Sequence, residues 1–196
     1  RRTHISGYTS MNKGSQPTDG RNLLLSVSER SEMIKNNPKT EKWIRRYVGG
    51  ADLLRNNIRY CLWLKDCPPN ELNAMPEILE RLKKVSAVRL KSPTESVNKY
   101  SKYPKLFTQD RQPETDYLCL SEVSSSERDY IPISYLSSDV ICSNTLQIIP
   151  NADLYIFGIL NSSMHNSWVR TVAGRMKSDI RYTPAVYHNF PFPVEI

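Results

Sequence analysis

No stretch of the 196 residues is long and apolar enough to cross a bilayer as a helix, which takes about twenty residues. The opening RRTHISGYTS has neither an initiator methionine nor an apolar signal core. Glycine is sparse, at seven residues, and none of it is set as GxGxxG, GxxxxGK[ST] or GxSxG. Phosphate-cradling loops and a nucleophile elbow are therefore unsupported. No Asp/Glu-x-Lys triplet occurs, which argues against a metal-dependent nuclease centre of the common type. The adenine-methylase tetrapeptide Asn/Asp-Pro-Pro-Tyr/Phe is missing as well. His4, His165 and His188 stand far apart without a second ligand at metal spacing, so no metal is expected, and His165 reads as a core histidine. Cys61, Cys67, Cys119 and Cys142 form no CxxC pair; they read as buried, reduced thiols of a cytoplasmic protein. A catalytic residue set confined to this chain is not expected.

What is present is a basic, aromatic-bearing globule. Lys and Arg exceed Asp and Glu by seven, which suits nucleic acid but by itself describes any basic domain. Residues 13–22, KGSQPTDGRN, are turn-rich. Leu23 to Val27 suggests a short buried strand. Ser28, Ser31 and Glu32 offer helix-start chemistry before a stop at Asn36-Asn37-Pro38. Thr40 is placed to cap a second helix carrying Trp43, Ile44, Tyr47 and Val48 and ending at Gly49-Gly50. Ile58 to Leu64 reads as a strand. Pro76 opens an amphipathic helix striped by Ile78, Leu79, Leu82 and Val85. Asp116 to Leu120, Tyr130 to Ile133, Val140 to Cys142 and Leu146 to Ile149 read as strands of a meander. A long helix is expected after Pro150-Asn151. Leu160, Met164, Trp168, Val172 and Met176 recur every four residues as its core stripe, with Arg170, Arg175, Lys177 and Arg181 off it. An aromatic, proline-rich strap, Tyr182 to Pro193, closes the chain. The class is α+β: a mixed β-sheet with flanking helices and a long C-terminal helix, without a Rossmann-type nucleotide-binding unit.

The densest basic block runs from Arg81 to Arg111, where Lys99, Lys102 and Lys105 alternate with Tyr100, Tyr103 and Phe107. Cations interspersed with aromatics suit phosphate contact and base stacking. By charge alone, a solvated helix face followed by a polar loop explains the block at least as well. Gln109, Asp110, Arg111 and Gln112 follow, side chains able to match base edges, although polar turns often look the same.

Several segments together resemble a known family. SERDYIPISYL (Ser126 to Leu136), Ser143-Asn144 and IPNADLYIFGILNSSMHNSWVRTVAGRMKSDIRYTPAVYHNFPFP are similar to the C-terminal part of the single-chain Type IIG/IIL restriction–modification proteins. These join a nuclease, an adenine-N6 methyltransferase and a target recognition domain. GSQPTDGRNLLL, WIRRYVGGADLLRNNIRYCLWL and Val88-Arg89 with Ser92 fit the same pattern. Two positions depart from it: Arg21 stands in place of glycine and His188 in place of asparagine. The resemblance implies a piece of a longer chain, with residues 1–115 as the DNA target recognition domain and 116–196 as a C-terminal strand-helix segment. It implies double-stranded DNA and an upstream methyltransferase domain as partners, and no membrane. No cofactor is implied for this segment; S-adenosylmethionine would belong to the parent methyltransferase domain.

A methylase that flips one adenine must hold the flanking duplex in register, with phosphate contacts for position and base-edge contacts for choice. Side-chain chemistry and location select Arg81, Lys84, Lys99, Lys102, Arg128, Lys177 and Arg181 for phosphate. They select Arg89, Lys91, Gln109, Asp110, Arg111 and Gln112 for base edges. Ser126, Glu127 and Arg128 belong to the shared motif, which points to organising the fold or gripping the backbone. The competing reading is a protein-docking scaffold that packs on the methyltransferase domain and binds DNA only weakly alone.

Overall fold

The computed structural model describes residues 8–193. The α+β class holds: helices and three small sheets interleave, and no Rossmann unit is present among the described residues. Strands β1 (Asn12–Lys13) and β2 (Leu24–Leu25) flank the turn-rich loop. In that loop Arg21 lies at φ +66°. This is the left-handed region, which costs a side chain energy and costs glycine nothing, and it is the physical reason for a glycine at that position in the pattern. Helix α1 (Val27–Asn36) starts before the predicted cap. Ser26 Oγ accepts the Glu29 N–H at 3.2 Å and the Glu29 carboxylate accepts the Ser26 N–H at 2.8 Å, a reciprocal capping box.

The second predicted helix does not form. A 3₁₀ turn (Pro38–Trp43) runs into strand β3 (Ile44–Val48). The Thr40 hydroxyl donates to the carbonyls of Asn37 (2.7 Å) and Met33 (3.4 Å), so it seals the end of α1 instead of opening a helix. The IRRYV stretch, aromatic and β-branched at intervals, pairs with its neighbour instead. Helix α2 (Gly50–Arg55) then leads to strand β4 (Arg59–Leu62), and β4 is the antiparallel partner of β3 from Ile44↔Leu62 to Tyr47↔Arg59. After the short α3 (Pro69–Asn73), helix α4 (Pro76–Leu90) follows the predicted pattern. Ile78, Leu82 and Val85 are buried against Leu23, Met33, Leu62 and Phe107, while Leu90, at the helix end, is exposed. Helix α5 (Glu95–Lys99) and a turn through Lys102 fold back on α4.

The strands β5 (Tyr117–Ser121), β6 (Val123–Ser124), β7 (Ile133–Leu136), β8 (Ile141–Cys142) and β9 (Leu146–Pro150) come next. They are not a plain meander. One sheet runs β1-β9-β5-β7, while β8 leaves its neighbours and pairs in parallel with β3 in the sheet β2-β4-β3-β8. Both four-stranded sheets therefore take strands from either side of residue 115. Three hydrophobic clusters fill the interior: one holds Leu23 through Phe107 plus Ile141, another holds Leu118 through Phe192 plus Met11, and a third joins Val48 to Tyr117, Cys119, Cys142, Leu146 and Ile148.

The expected long C-terminal helix is two helices, α6 (Leu154–Leu160) and α7 (Ser163–Val172), broken at Asn161-Ser162. Ser162 Oγ accepts the His165 N–H at 3.1 Å and caps α7. A hairpin of β10 (Gly174–Met176) and β11 (Asp179–Arg181) replaces its predicted continuation, and α8 (Pro184–His188) closes the fold. Of the five predicted stripe residues only Leu160 is fully buried; Met164, Val172 and Met176 are 59%, 44% and 48% exposed. An interval of four advances about 40° around a helix of 3.6 residues per turn, so four such steps carry the stripe to the opposite side. The true inward positions of α7 are His165, Asn166 and Val169.

Candidate nucleic-acid interface

The predicted base-reading residues separate into two kinds. Arg89 is fully buried. Its Nε donates to the Thr18 carbonyl (2.9 Å), Nη1 to Tyr100 (3.2 Å) and Tyr103 (3.1 Å), and Nη2 to Pro17 (2.7 Å) and Leu106 (2.7 Å). A guanidinium has five N–H donors, and all five are spent on backbone, so none is left for a base. Burial pulls its pKa down and nearby Asp19 pushes it back. Gln112 is likewise committed: its amide donates to Ser138 (3.0 Å) and Val140 (2.9 Å) and its carbonyl accepts from Cys142 N–H (3.3 Å). Both side chains are committed to holding the fold, and their donors are not open to a base. Gln109, Asp110 and Arg111 do come together, lining an open depression with Trp63, Lys65, Tyr100 and Lys105. Lys65 spans it, lying over the Trp63 ring and bonding Asp110 at 3.2 Å. Lys91 is exposed at the end of α4.

Among the predicted phosphate ligands, Arg81 is engaged inside the fold. Its guanidinium donates to the Asn22 carbonyl (3.3 Å) and to Glu29 (2.8 Å), locking α4 to α1. The Ser26 N–H first and Arg81 second hold Glu29 down to about 2. Lys99 pairs with Glu95 and Arg181 with Glu122. Lys84, Lys102, Arg128 and Lys177 are exposed, with no ion pair among the described residues. Arg170 donates to the carbonyls of Ser126 and Arg128, which ties the SERDY turn to α7.

A groove that residue chemistry alone did not single out is built by the resembling segments. The Gly14 N–H donates to Leu146 (3.0 Å), Ser15 N–H to Cys142 (2.7 Å), Asn144 N–H to Ser15 (2.9 Å) and Ser143 N–H to Val48 (2.9 Å). A Cβ at Gly14 would lie 2.4 Å from the Ser143 carbonyl oxygen, so only glycine fits this crossing. Two depressions meet over Gly50, Ala51, Asn144 and Thr145. One extends past Gln16, Thr18, Tyr47 and Arg59; the other past Lys13, Arg55, Glu122, Met176 and Arg181. Gln16 pairs with Gln109 through the backbone (2.9 and 3.2 Å), so the Gln109–Arg111 depression adjoins the groove.

The groove wall is preset. Buried Asp52 accepts from Arg59 Nε (3.0 and 3.1 Å) and from the Gly49 N–H (2.8 Å). Glu122 accepts from Lys13 Nζ (2.9 Å) and from Arg181 Nε and Nη2 (3.1 and 3.0 Å). Burial raises the Glu122 pKa, and the two cations outweigh it and hold the carboxylate low. The Thr145 hydroxyl sits 2.6 Å from Ser143 Oγ and accepts the Gly50 N–H at 2.9 Å. Asn144 differs from these neighbours. Its half-buried amide makes no hydrogen bond within the described residues, while its backbone is fixed. The signal for the groove was the Ser143-Asn144 pair of the shared pattern, which carries no chemistry until the fold sets it beside Gly50.

Away from the groove, the C-terminal strap is core. Buried His165 has Nδ1 2.9 Å from the Leu160 carbonyl and Nε2 2.9 Å from the Tyr182 hydroxyl. Burial holds its pKa down at about 4, with the Leu160 bond opposing, so the ring is neutral at pH 7. The Met11 N–H donates to His188 Nε2 at 3.0 Å. His4 lies outside the described residues. Among the described residues no group of His, Cys, Asp and Glu could hold a metal, the four cysteines are free and buried, and no helix is long and apolar enough to cross a membrane.

The comparisons with known proteins agree with one another. A family model described as "MmeI, target recognition domain" matches residues 1–194. A solved structure of the Type IIL restriction-modification enzyme MmeI in complex with DNA superimposes with a TM-score of 0.94 at 42% identity. It covers 99% of this chain and 26% of that one. DNA methyltransferase A of Bacillus subtilis (strain 168) is 35% identical over 191 residues, 96% of this chain and 22% of the relative. The chain thus spans about a quarter of the length of the proteins it matches.

Proposed function

Because the chain belongs to the MmeI target recognition domain family, we propose that it is the sequence-reading module of a restriction–modification adenine methyltransferase. It holds double-stranded DNA in register for methylation, and for cleavage, by domains elsewhere in a longer polypeptide. S-adenosylmethionine and the reacting groups belong to those domains, and this chain contributes no catalytic residue. The parent acts on DNA in the cytoplasm.

The observation that carries this reading is the groove over Gly50 and Asn144. A free amide on a fixed backbone is flanked by Arg59 and Arg181, each held in place by a carboxylate. An amide can pair bidentately with adenine, and a guanidinium with guanine. Asn144, Arg181, Gln109 and Arg111 are the proposed base-edge contacts, with Lys91 and Asp110 beside them. The unpaired cations Lys84, Lys102, Arg128 and Lys177 are the proposed phosphate contacts, with Lys99 able to exchange Glu95 for phosphate.

Duplex binding over a salt series, on cognate and singly substituted sites, tests this. Lys102→Ala should weaken all duplexes alike and lower the salt slope by about one. Asn144→Ala should cost about 1–3 kcal/mol at one base pair and little elsewhere. If Asn144→Ala weakens every sequence equally, the groove does not read bases. If no duplex binds even at low salt, the docking-scaffold reading replaces this one.

A further inference from the structure

The loop that leaves the groove towards α1 takes left-handed backbone at three of four successive residues. Thr18 lies at φ +43°, Gly20 at +60° and Arg21 at +66°. Glycine adopts such angles freely, whereas a β-branched or long side chain there is strained. The surrounding structure holds the angles in place. Arg89 Nε and Nη2 donate to the carbonyls of Thr18 (2.9 Å) and Pro17 (2.7 Å). The Thr18 and Thr108 hydroxyls are 2.8 Å apart, and the buried Asp19 carboxylate accepts the Leu23 N–H. Strain that a fold retains under such constraint clusters at ligand clamps.

Arg21 is the strained residue whose side chain the fold does not use. It is exposed and makes no hydrogen bond or ion pair among the described residues. Glycine would fit its backbone without strain, so what arginine adds at this position is a cation. Its two neighbours fix where that cation stands. Gly20 lies against Val88: a Cβ on it would be 2.8 Å from Val88 Cγ2. The Asn22 carbonyl accepts from Arg81 Nη1 at 3.3 Å. Arg81, Lys84 and Val88 follow one another at intervals of three and four and so share one face of α4. Arg21 therefore crosses α4 between Arg81 and Val88, at the level of Lys84. Arg81 is neutralised by Glu29, whereas Lys84 is exposed and has no ion pair among the described residues. Like charges set side by side repel, and an anion shared between them relieves that repulsion.

We propose that Arg21 is a phosphate-binding residue that grips the DNA backbone together with Lys84, outside the groove that reads the bases. This rests on the chain being a DNA-reading module. The same loop lines the groove with Gln16, Pro17 and Thr18, so a duplex seated there brings its sugar–phosphate backbone towards Arg21, three residues further on. A guanidinium matches a phosphate with two parallel N–H donors. Neither Arg21 nor Lys84 lines the groove, so the contact contributes affinity and register and no base preference.

The test is binding of the full-length polypeptide to a randomised duplex pool over a salt series, with Arg21→Gly, Arg21→Asn and Arg21→Lys. Glycine and asparagine both accept left-handed backbone, so neither substitution should lower Tm. Both should lower the salt slope by about one. Their deficit in affinity should accordingly shrink roughly three- to fourfold between about 50 and 200 mM salt. Arg21→Lys should keep the slope, and the sequences selected from the pool should be the same in all three variants. An unchanged slope in Arg21→Gly and Arg21→Asn overturns the proposal and leaves the DNA-reading function standing. An equal loss of slope in Arg21→Lys overturns it too, because charge would then not be the cause. A changed base preference overturns it by making Arg21 a reader. If the unsubstituted protein binds no duplex even at low salt, the proposal falls together with the reading on which it rests.

Discussion

The N-terminal region keeps a charge in its interior, and the C-terminal region keeps a neutral ring. In the first, Arg89 reaches from α4 to five carbonyls on two separate loops. In the second, His165 reaches from α7 to Leu160 and to Tyr182 of the closing strap. Each polar side chain joins segments that local structure leaves apart, and each is fully buried. They differ in what they can tolerate. A guanidinium stays protonated at any pH the fold would meet, and its desolvation is offset only because every donor is used. An imidazole can be buried at little cost as long as it stays neutral, and it becomes a liability in acid. The region nearer the proposed reading loops thus has the pH-independent device, and the aromatic region has the titratable one.

The largest effect should come from breaking the charged device. Arg89→Met keeps the bulk, removes five charge-assisted bonds and leaves carbonyls buried, at a cost of about 3–5 kcal/mol. Urea unfolding measures the loss. Backbone exchange should rise first around Pro17 and from Tyr100 to Leu106; a change spread evenly over the chain would contradict a local clamp.

Acid should break the neutral device next. The ordinary histidine value is 6.5 and the folded value of His165 is about 4. As pH falls the unfolded chain therefore takes up the proton first. Stability is intact above pH 6.5, declines between 6.5 and about 4, and the total loss is roughly 3 kcal/mol. NMR titration of the ring reads this directly: a midpoint near 6.5 would mean the pocket is wet.

The smallest of the three effects tests the junction between the regions. Gly14→Ala forces a methyl against the Cys142 and Ser143 carbonyls, a steric cost of about 2 kcal/mol. Because Gly14 bonds to the β8–β9 segment and its neighbours β1 and β2 lie in different sheets, both regions should lose stability in one transition. Two resolved transitions would mean that the regions fold separately.

Local signals read well where one short segment decides the outcome. The α4 stripe, the Pro76 start and the strands at β4, β5 and β9 follow from periodicity and turn chemistry. Arg89 and Gln112 show why residue chemistry alone misplaces function. A side chain able to grip a base edge is equally able to grip backbone, and only the loops folding around Arg89 decide between the two. Asn144 shows the converse: an asparagine in a turn is unremarkable until tertiary bonds fix its backbone and leave its amide empty. The parallel pairing of β8 with β3, on which the groove depends, joins residues almost a hundred positions apart, beyond the reach of any local pattern.

One contact made in passing bears on how such a module could move between proteins. The Tyr8 and Phe192 rings are 4.9 Å apart, Tyr187 Oη donates to the Thr9 carbonyl at 3.1 Å, and Met11 bonds His188. The polypeptide enters and leaves the described fold at nearly one point. In the longer polypeptide proposed above, the flanking chain would resume close to where it stopped, as if a loop had been inserted. On that proposal, exchanging the module for a relative with the same entry and exit should alter what is read without moving the host on either side.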